Sequence, residues 1–225
     1  MMGCVMSPPP ERLGSSTVRD VYDVLAEDYA RFLPDTRAEA RLDLAMIDAF
    51  AESVTAGDDP RVLDAGCGAG RVSRYLADRG CLVEGVDLSP GMVTMARRDH
   101  GDLSFAVASL SGLPYPDGLF AGVVLWYSII HMPHAGQARI FAEARRVLRP
   151  GGHLIVGFQA GTGTRDVSAA YRRFGHDVRL VRYLYTADEV AARIEAAGLH
   201  EAGRLVRRAQ GNEKADQAVL LARAD

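Results

Sequence analysis

The chain has 225 residues and a formal net charge of −3, with 26 basic residues against 29 acidic ones. This length suits one α/β domain with a sizeable core. The slightly negative net charge does not indicate the basic surface that binding of DNA or RNA requires. The three cysteines form neither a metal-ligand spacing nor a disulfide framework, and no apolar run reaches membrane-spanning length. We therefore expect a cytoplasmic protein, monomeric or homodimeric, that binds no metal, nucleic acid or membrane.

The predicted elements follow a regular order along the chain. Residues 1–17, with three consecutive prolines, predict a flexible leader, and one domain is expected over 18–225. Apolar residues at helical spacing predict helices over 18–32 and 38–54. Strand and helix patterns then alternate. The predicted strands are 61–65, 81–86, 103–108, 119–126, 153–158, 200–208 and 215–223, and the predicted helices are 69–79, 90–99, 135–148 and 187–197. The alternation predicts a doubly wound, Rossmann-like sheet of seven strands, mostly parallel with an antiparallel last strand, and helices on both faces.

A glycine-rich turn connects the first strand to its helix in the segment Val62-Leu63-Asp64-Ala65-Gly66-Cys67-Gly68-Ala69-Gly70-Arg71. Glycines permit the tight turn, and the first helical turn offers free N–H groups to a negatively charged ligand group. A dinucleotide-binding turn requires a small residue where this chain has Arg71. An acid two residues before G-x-G-x-G resembles motif I of the class I S-adenosylmethionine-dependent methyltransferases.

The resemblance implies that S-adenosyl-L-methionine is the cofactor. In that family the glycine turn passes under the methionine part, and the acid, here Asp64, acts through the amino group, often through water. The turn residues that this assigns to the cofactor are Asp64, Ala65, Gly66, Cys67, Gly68, Gly70 and Arg71.

A second acid, Asp87, ends the next strand 21 positions after Gly66. A carboxylate there can accept hydrogen bonds from both ribose hydroxyls. Alternatively it caps the following helix, although Ser89 is the better cap. Leu88 belongs to the same segment, and Met92 resembles the family residue that lies against adenine, with core packing as the alternative.

Ser109 stands where the family carries an aspartate for the adenine amino group. A hydroxyl accepts that hydrogen bond without charge assistance, so the contact is expected to be weaker. The backbone N–H of Leu110 can still meet an adenine nitrogen. Ala121 also replaces an aspartate of many relatives. These two differences from the family pattern put the affinity for the cofactor in doubt, and not its use.

Trp126 and His131 lie at the carboxyl end of the fourth strand, where open α/β sheets bind ligands. The resemblance implies the methyl-transfer site there. Trp126 could cover the cofactor or pack in the core. His131 is the candidate general base, because imidazole titrates near neutrality. Alternatively, it has a positioning role in which it hydrogen-bonds a backbone carbonyl and shapes the pocket.

The N-terminal helices resemble the lid of small-molecule methyltransferases, so residues 18–54 are expected to cover the cofactor, with Tyr22 and Tyr29 at its methionine end. Residues 160–185 occupy the place where this family varies its acceptor pocket. The residues there that could face an acceptor are Tyr171, Arg172, Phe174 and Tyr183.

These observations predict methyl transfer to O, N or C of a small organic molecule, such as a natural-product or quinone-like acceptor. A cofactor-binding module without activity is the alternative that Ser109 and Ala121 permit. An NAD(P)-dependent oxidoreductase is a third reading, which Arg71 disfavours.

Overall fold

The computed structural model describes residues 15–172 and 175–225, so residues 1–14 of the predicted leader and Phe174 lie outside the described residues. The first helix begins at Ser15, inside the predicted leader. The helices are α1 (Ser15–Phe32), α2 (Arg41–Thr55), α3 (Arg71–Ala77), α4 (Pro90–Asp99), α5 (His134–Val147), α6 (Ser168–Arg172) and α7 (Ala187–Ala196). The strands are β1 (Arg61–Ala65), β2 (Leu82–Asp87), β3 (Ser104–Val107), β4 (Phe120–Trp126), β5 (Leu148–Ala160), β6 (Thr164–Asp166), β7 (Val181–Tyr183), β8 (Leu199–Arg207) and β9 (Asp216–Ala224).

Seven strands form one sheet in the order β3-β2-β1-β4-β5-β9-β8. Neighbouring strands run parallel from β3 to β5, and β9 is antiparallel to both β5 and β8. The predicted mostly parallel sheet with an antiparallel last strand is confirmed. The chain moves outward from β1 in one direction to β3 and then in the other direction from β4. A crevice therefore opens between the carboxyl ends of β1 and β4, where doubly wound sheets bind ligands.

Helices cover both faces of the sheet, as predicted, because its central strands are apolar on both sides. Every residue of β4 is buried. Side chains of α5 and α7 pack on one face, and side chains of α2 and α3 pack on the other. The largest contributors are Ile140, Phe141, Val190 and Ile194 on the first face and Ile47, Phe50, Val72 and Leu76 on the second.

The structure differs from the prediction in two segments. Strand β5 begins at Leu148 and not at 153, because Leu148 pairs with Phe120 before the register shifts around Gly122. The segment 160–183, expected to be irregular or partly helical, contains the short helix α6 and the antiparallel pair β6–β7. Within residues 15–172 and 175–225, no helix combines the length and apolarity that crossing a membrane requires.

Candidate active site

A cavity of about 740 Å³ lies at the carboxyl ends of the central strands, bordered by α1 and the β6–β7 pair. Its volume falls within the range of roughly 300–1,000 Å³ that is typical of small-ligand sites. Most of the predicted site residues line it, namely Tyr22, Tyr29, Gly66, Gly68, Arg71, Asp87, Leu88, Met92, Ser109, Leu110, Trp126 and His131. Tyr171 and Tyr183 also line it, whereas Arg172 is exposed and does not.

Four predicted cofactor residues, Asp64, Ala65, Cys67 and Gly70, do not line this cavity. The Asp64 carboxylate is buried and accepts a hydrogen bond of 2.6 Å from the Ser73 hydroxyl on α3. Burial raises the pKa of Asp64 to about 6. Asp64 therefore braces α3 against β1, and its side chain does not line the cavity. Its contact with the cofactor amino group, which in the family often runs through water, stays a prediction.

The Asp87 carboxylate connects the glycine turn to the start of α4. Its Oδ2 accepts the Gly68 amide N–H at 2.9 Å, and its Oδ1 accepts the Ser89 amide N–H at 2.9 Å. Burial raises the pKa of this carboxyl above its ordinary value. Each oxygen retains a lone pair for a ligand, since an ionised carboxylate has about four acceptor sites. Ser89 caps α4 as predicted, accepting from the Met92 amide at 3.1 Å.

A buried ion pair forms the opposite wall. Arg71 donates to the Glu39 carboxylate, and Trp126 Nε1 donates to the same carboxylate oxygen at 2.9 Å. The side chains of Arg71 and Glu39 are only 11% and 7% exposed. Tyr29 also lies against Arg71, and the two partners raise the pKa of the guanidinium against the opposing effect of burial. Glu39 belongs to no recognisable sequence motif, so nothing in the sequence indicated that it would be a site residue.

Helix α1 is fixed over the cavity by Asp23. Its carboxylate accepts from the Ser89 hydroxyl at 2.5 Å and from the Gly91 amide at 2.8 Å, both at the start of α4. This contact places the neighbouring Tyr22 over the site, where its hydroxyl lies 2.9 Å from His131 Nε2.

His131 is held in one tautomer. Its Nδ1 lies 2.7 Å from the Val181 carbonyl oxygen, which can only accept, so Nδ1 carries the hydrogen. Nε2 is therefore the acceptor and the Tyr22 hydroxyl donates to it. Burial lowers the pKa of His131 to about 4, so the ring is neutral at pH 7. Burial also raises the pKa of Tyr22.

A base with a pKa of about 4 is poorly matched to a phenol with a pKa of roughly 10. At 1.36 kcal/mol per unit of pKa difference, proton transfer from such a phenol to His131 is uphill by roughly 8 kcal/mol. General bases work best when their pKa lies near the operating pH. Of the two predicted roles of His131, the lowered pKa together with the hydrogen bonds to Tyr22 and Val181 therefore favours shaping of the pocket over general-base catalysis.

The end of β4 and the neighbouring strand β5 supply further polar atoms that sequence reasoning missed. Ser128 Oγ and Gln159 Oε1 both line the cavity and are buried without a hydrogen-bond partner. Tyr127, between Trp126 and Ser128, has a φ of 55°, the only non-glycine residue with a positive φ among the described residues. Strained backbone and unsatisfied polar groups concentrate where a protein binds ligands.

Neither a metal nor a reactive thiol is indicated at this site. Across the described ranges, no group of three or more His, Cys, Asp or Glu residues is placed to hold a metal ion. Burial raises the pKa of Cys67 well above its ordinary value, so its thiol remains protonated.

Known proteins resemble this chain in sequence and in fold. A family model described as a methyltransferase domain matches residues 62–152. The methyltransferase GfsG of Streptomyces halstedii is 36% identical over 147 residues, which make up 62% of this chain and 52% of that protein. A malonyl-acyl-carrier-protein O-methyltransferase of Geobacter sulfurreducens is 34% identical over 193 residues, covering 80% of this chain and 69% of that protein. The chain thus spans about half to two thirds of the length of the curated relatives it matches.

A solved structure shares the whole fold. The 1,6-didemethyltoxoflavin-N1-methyltransferase of Burkholderia thailandensis, crystallised with S-adenosylhomocysteine, superposes with a TM-score of 0.71. The match covers 100% of this chain and 94% of that protein at 22% identity. At this identity the likeness concerns the fold alone.

Proposed function

The chain belongs to the class I S-adenosylmethionine-dependent methyltransferases, and we propose that it transfers the methyl group of S-adenosyl-L-methionine to O, N or C of a small organic molecule. The observation that carries this proposal is one continuous cavity. The glycine turn and Asp87 line one part of it, and Tyr22 and His131 line another. A cofactor and an acceptor can therefore meet in one cavity.

The residues present fit this cofactor. Asp87 has free lone pairs for the ribose hydroxyls, and Leu88 and Met92 provide apolar surface for adenine. Arg71 and Tyr29 would face the methionine end. When bound, the cofactor supplies a methyl group on an electrophilic sulfonium, and the ring faces of nearby aromatic residues attract such a positive charge.

The chain contributes orientation more than proton transfer. A nucleophile must be held in line near ~3 Å from the methyl carbon, and such positioning can supply most of the rate. Tyr22 closes the cavity from α1, and His131 fixes the direction of its hydroxyl. A neutral amine or a group that is already anionic could react here without a base.

The same geometry supports a proposal for the domain organisation. We propose one methyltransferase domain over 18–225, with 160–185 as the acceptor pocket, because the β6–β7 pair borders the cavity. Of the predicted lid 18–54, α1 borders the cavity and is proposed as the lid, whereas α2 packs on the sheet and belongs to the core. The net charge of −3 supports a small-molecule partner and not a nucleic acid. We further propose that the protein is a cytoplasmic monomer or homodimer.

Two measurements test the proposed activity. Calorimetric titration with S-adenosylhomocysteine should give one saturable site. Incubation with S-adenosylmethionine and a panel of phenols, amines, carboxylic acids and quinones should then release S-adenosylhomocysteine with at least one acceptor. Binding without release across the panel would favour the inactive cofactor-binding module, and absence of binding would contradict the proposal.

A further inference from the structure

Two arginines face each other on the wall of the acceptor pocket. Arg165 on β6 and Arg182 on β7 are directly opposed in the antiparallel register, and both line the cavity. Opposed residues of two strands project from the same face, so the two guanidinium groups share one side of the β6–β7 pair. We call Arg165 and Arg182 the arginine pair.

The protein leaves this charge uncompensated. Neither member forms a salt bridge within residues 15–172 and 175–225, and Arg182 Nε is buried without a hydrogen-bond partner. Asp166 follows Arg165 directly on β6, but successive side chains of a strand point to opposite faces, and Asp166 does not line the cavity. Like charges placed opposite each other destabilise a strand pair.

The carboxylates that line the cavity are already engaged. Glu39 pairs with Arg71, and the Asp87 oxygens accept backbone amides. Both oxygens of Glu213 accept hydrogen bonds from Arg207. None of these carboxylates forms a salt bridge with Arg165 or Arg182, so an external anion is the group that would complete the arginine pair.

The residues around the arginine pair indicate what kind of molecule bears the anionic group. Arg182 lies against Tyr171, which in turn lies against Tyr22. Apolar side chains from α1, from the loop after β4 and from the residue after β7 line the same cavity, among them Val18, Ile130 and Leu184. An organic molecule with an apolar body and an anionic end matches this arrangement.

Resting on the proposed methyl transfer, we infer that the methyl acceptor is an organic acid whose carboxylate is bound by the arginine pair. Guanidinium forks bind carboxylates through paired, charge-assisted hydrogen bonds. A carboxylate has two oxygens, one for each guanidinium. It is ionised at neutral pH, so its binding requires no base.

Matched probes test the charge requirement directly. The protein is saturated with S-adenosylhomocysteine and titrated calorimetrically with benzoate, benzamide or phenyl phosphate at constant ionic strength. Benzoate should bind the wild-type protein at least about tenfold more tightly than benzamide, which has the same shape without the charge. Equal affinity, no detectable benzoate binding, or tighter binding of phenyl phosphate would overturn the carboxylate assignment.

Variants locate the binding to the pair. Arg165→Gln and Arg182→Gln should each weaken benzoate binding by about tenfold and leave benzamide unaffected. Arg179→Gln is the matched control, because Arg179 precedes β7, is exposed and does not line the cavity. An equal loss in Arg179→Gln would show a general charge effect and overturn the inference.

The affinity for S-adenosylhomocysteine separates this inference from the proposed function. If each variant and the wild type bind S-adenosylhomocysteine equally, the variants are folded. A change in benzoate affinity then reports the loss of the arginine and not a loss of structure. Failure of the wild type to bind S-adenosylhomocysteine would overturn the proposed function itself. If Arg182→Gln does not fold, the comparison of benzoate with benzamide on the wild type still tests the charge requirement, and Arg165→Gln still tests whether the arginine pair binds the anion.

Discussion

Replacing His131 by glutamine tests the buried, neutral state of the imidazole. The ordinary pKa of 6.5 is lowered to about 4 by burial. A lowered histidine pKa contributes stability that is present above pH 6.5 and is lost as pH falls through 4. At 1.36 kcal/mol per pH unit, the contribution is roughly 3 kcal/mol. His131→Gln has no imidazole to protonate, so its stability deficit relative to wild type should shrink by this amount between pH 7 and pH 4.

Urea unfolding at several pH values measures this difference. Asp64 acts in the opposite direction, because a raised carboxyl pKa adds stability as pH falls through 6, but both proteins contain Asp64 and the comparison cancels it. His134→Gln is the control, since His134 is exposed at the start of α5. A deficit of His131→Gln that stays constant with pH would refute the reasoning and return His131 to the role of a base near neutrality.

Three further substitutions probe the site and the fold. Asp87→Ala should weaken S-adenosylhomocysteine binding by roughly 1–3 kcal/mol in calorimetry, and unchanged affinity would contradict ribose binding. Glu39→Gln leaves the buried Arg71 without its counter-charge and deprives Trp126 of a charged acceptor. It should lower the free energy of unfolding by about 3–5 kcal/mol, and a negligible loss would mean that the pair is solvated. Thr186→Ala removes the capping box of α7 and should cost about 1 kcal/mol in urea unfolding, with cofactor affinity unaltered.

The doubly wound part of the fold could be predicted because its signals are local. Apolar runs of strand length, glycine turns and the cap at Ser89 lie within a few residues of the elements they specify. The β6–β7 pair could not be predicted, since three-residue strands such as Thr164–Asp166 contain too few positions to show alternation. The start of β5 was placed too late because Pro150-Gly151-Gly152 has the composition of a turn and yet lies within the strand.

The parts of the candidate site that lie within short sequence motifs could be predicted. The spacing from the glycine turn to Asp87 identified two walls of the cavity. Tyr22 and His131 are 109 positions apart in the sequence, and no sequence pattern predicts that their side chains are in contact. The same holds for Glu39, whose importance follows from folding beside Arg71 and Trp126. The hydrogen bond from Ser73 to Asp64 could not be predicted either, because a strand-end acid can point toward the neighbouring helix as well as toward the ligand crevice.

Fluorescence of the single tryptophan tests the central claim most directly. Trp126 is the only tryptophan of the chain and lines the cavity. Titration with S-adenosylhomocysteine should change its emission saturably with one site per chain. The midpoint should move to higher concentration in Asp87→Ala and stay in place in Thr186→Ala. An unchanged emission, or an equal response to a nicotinamide dinucleotide, would contradict the assignment of this cavity to S-adenosylmethionine.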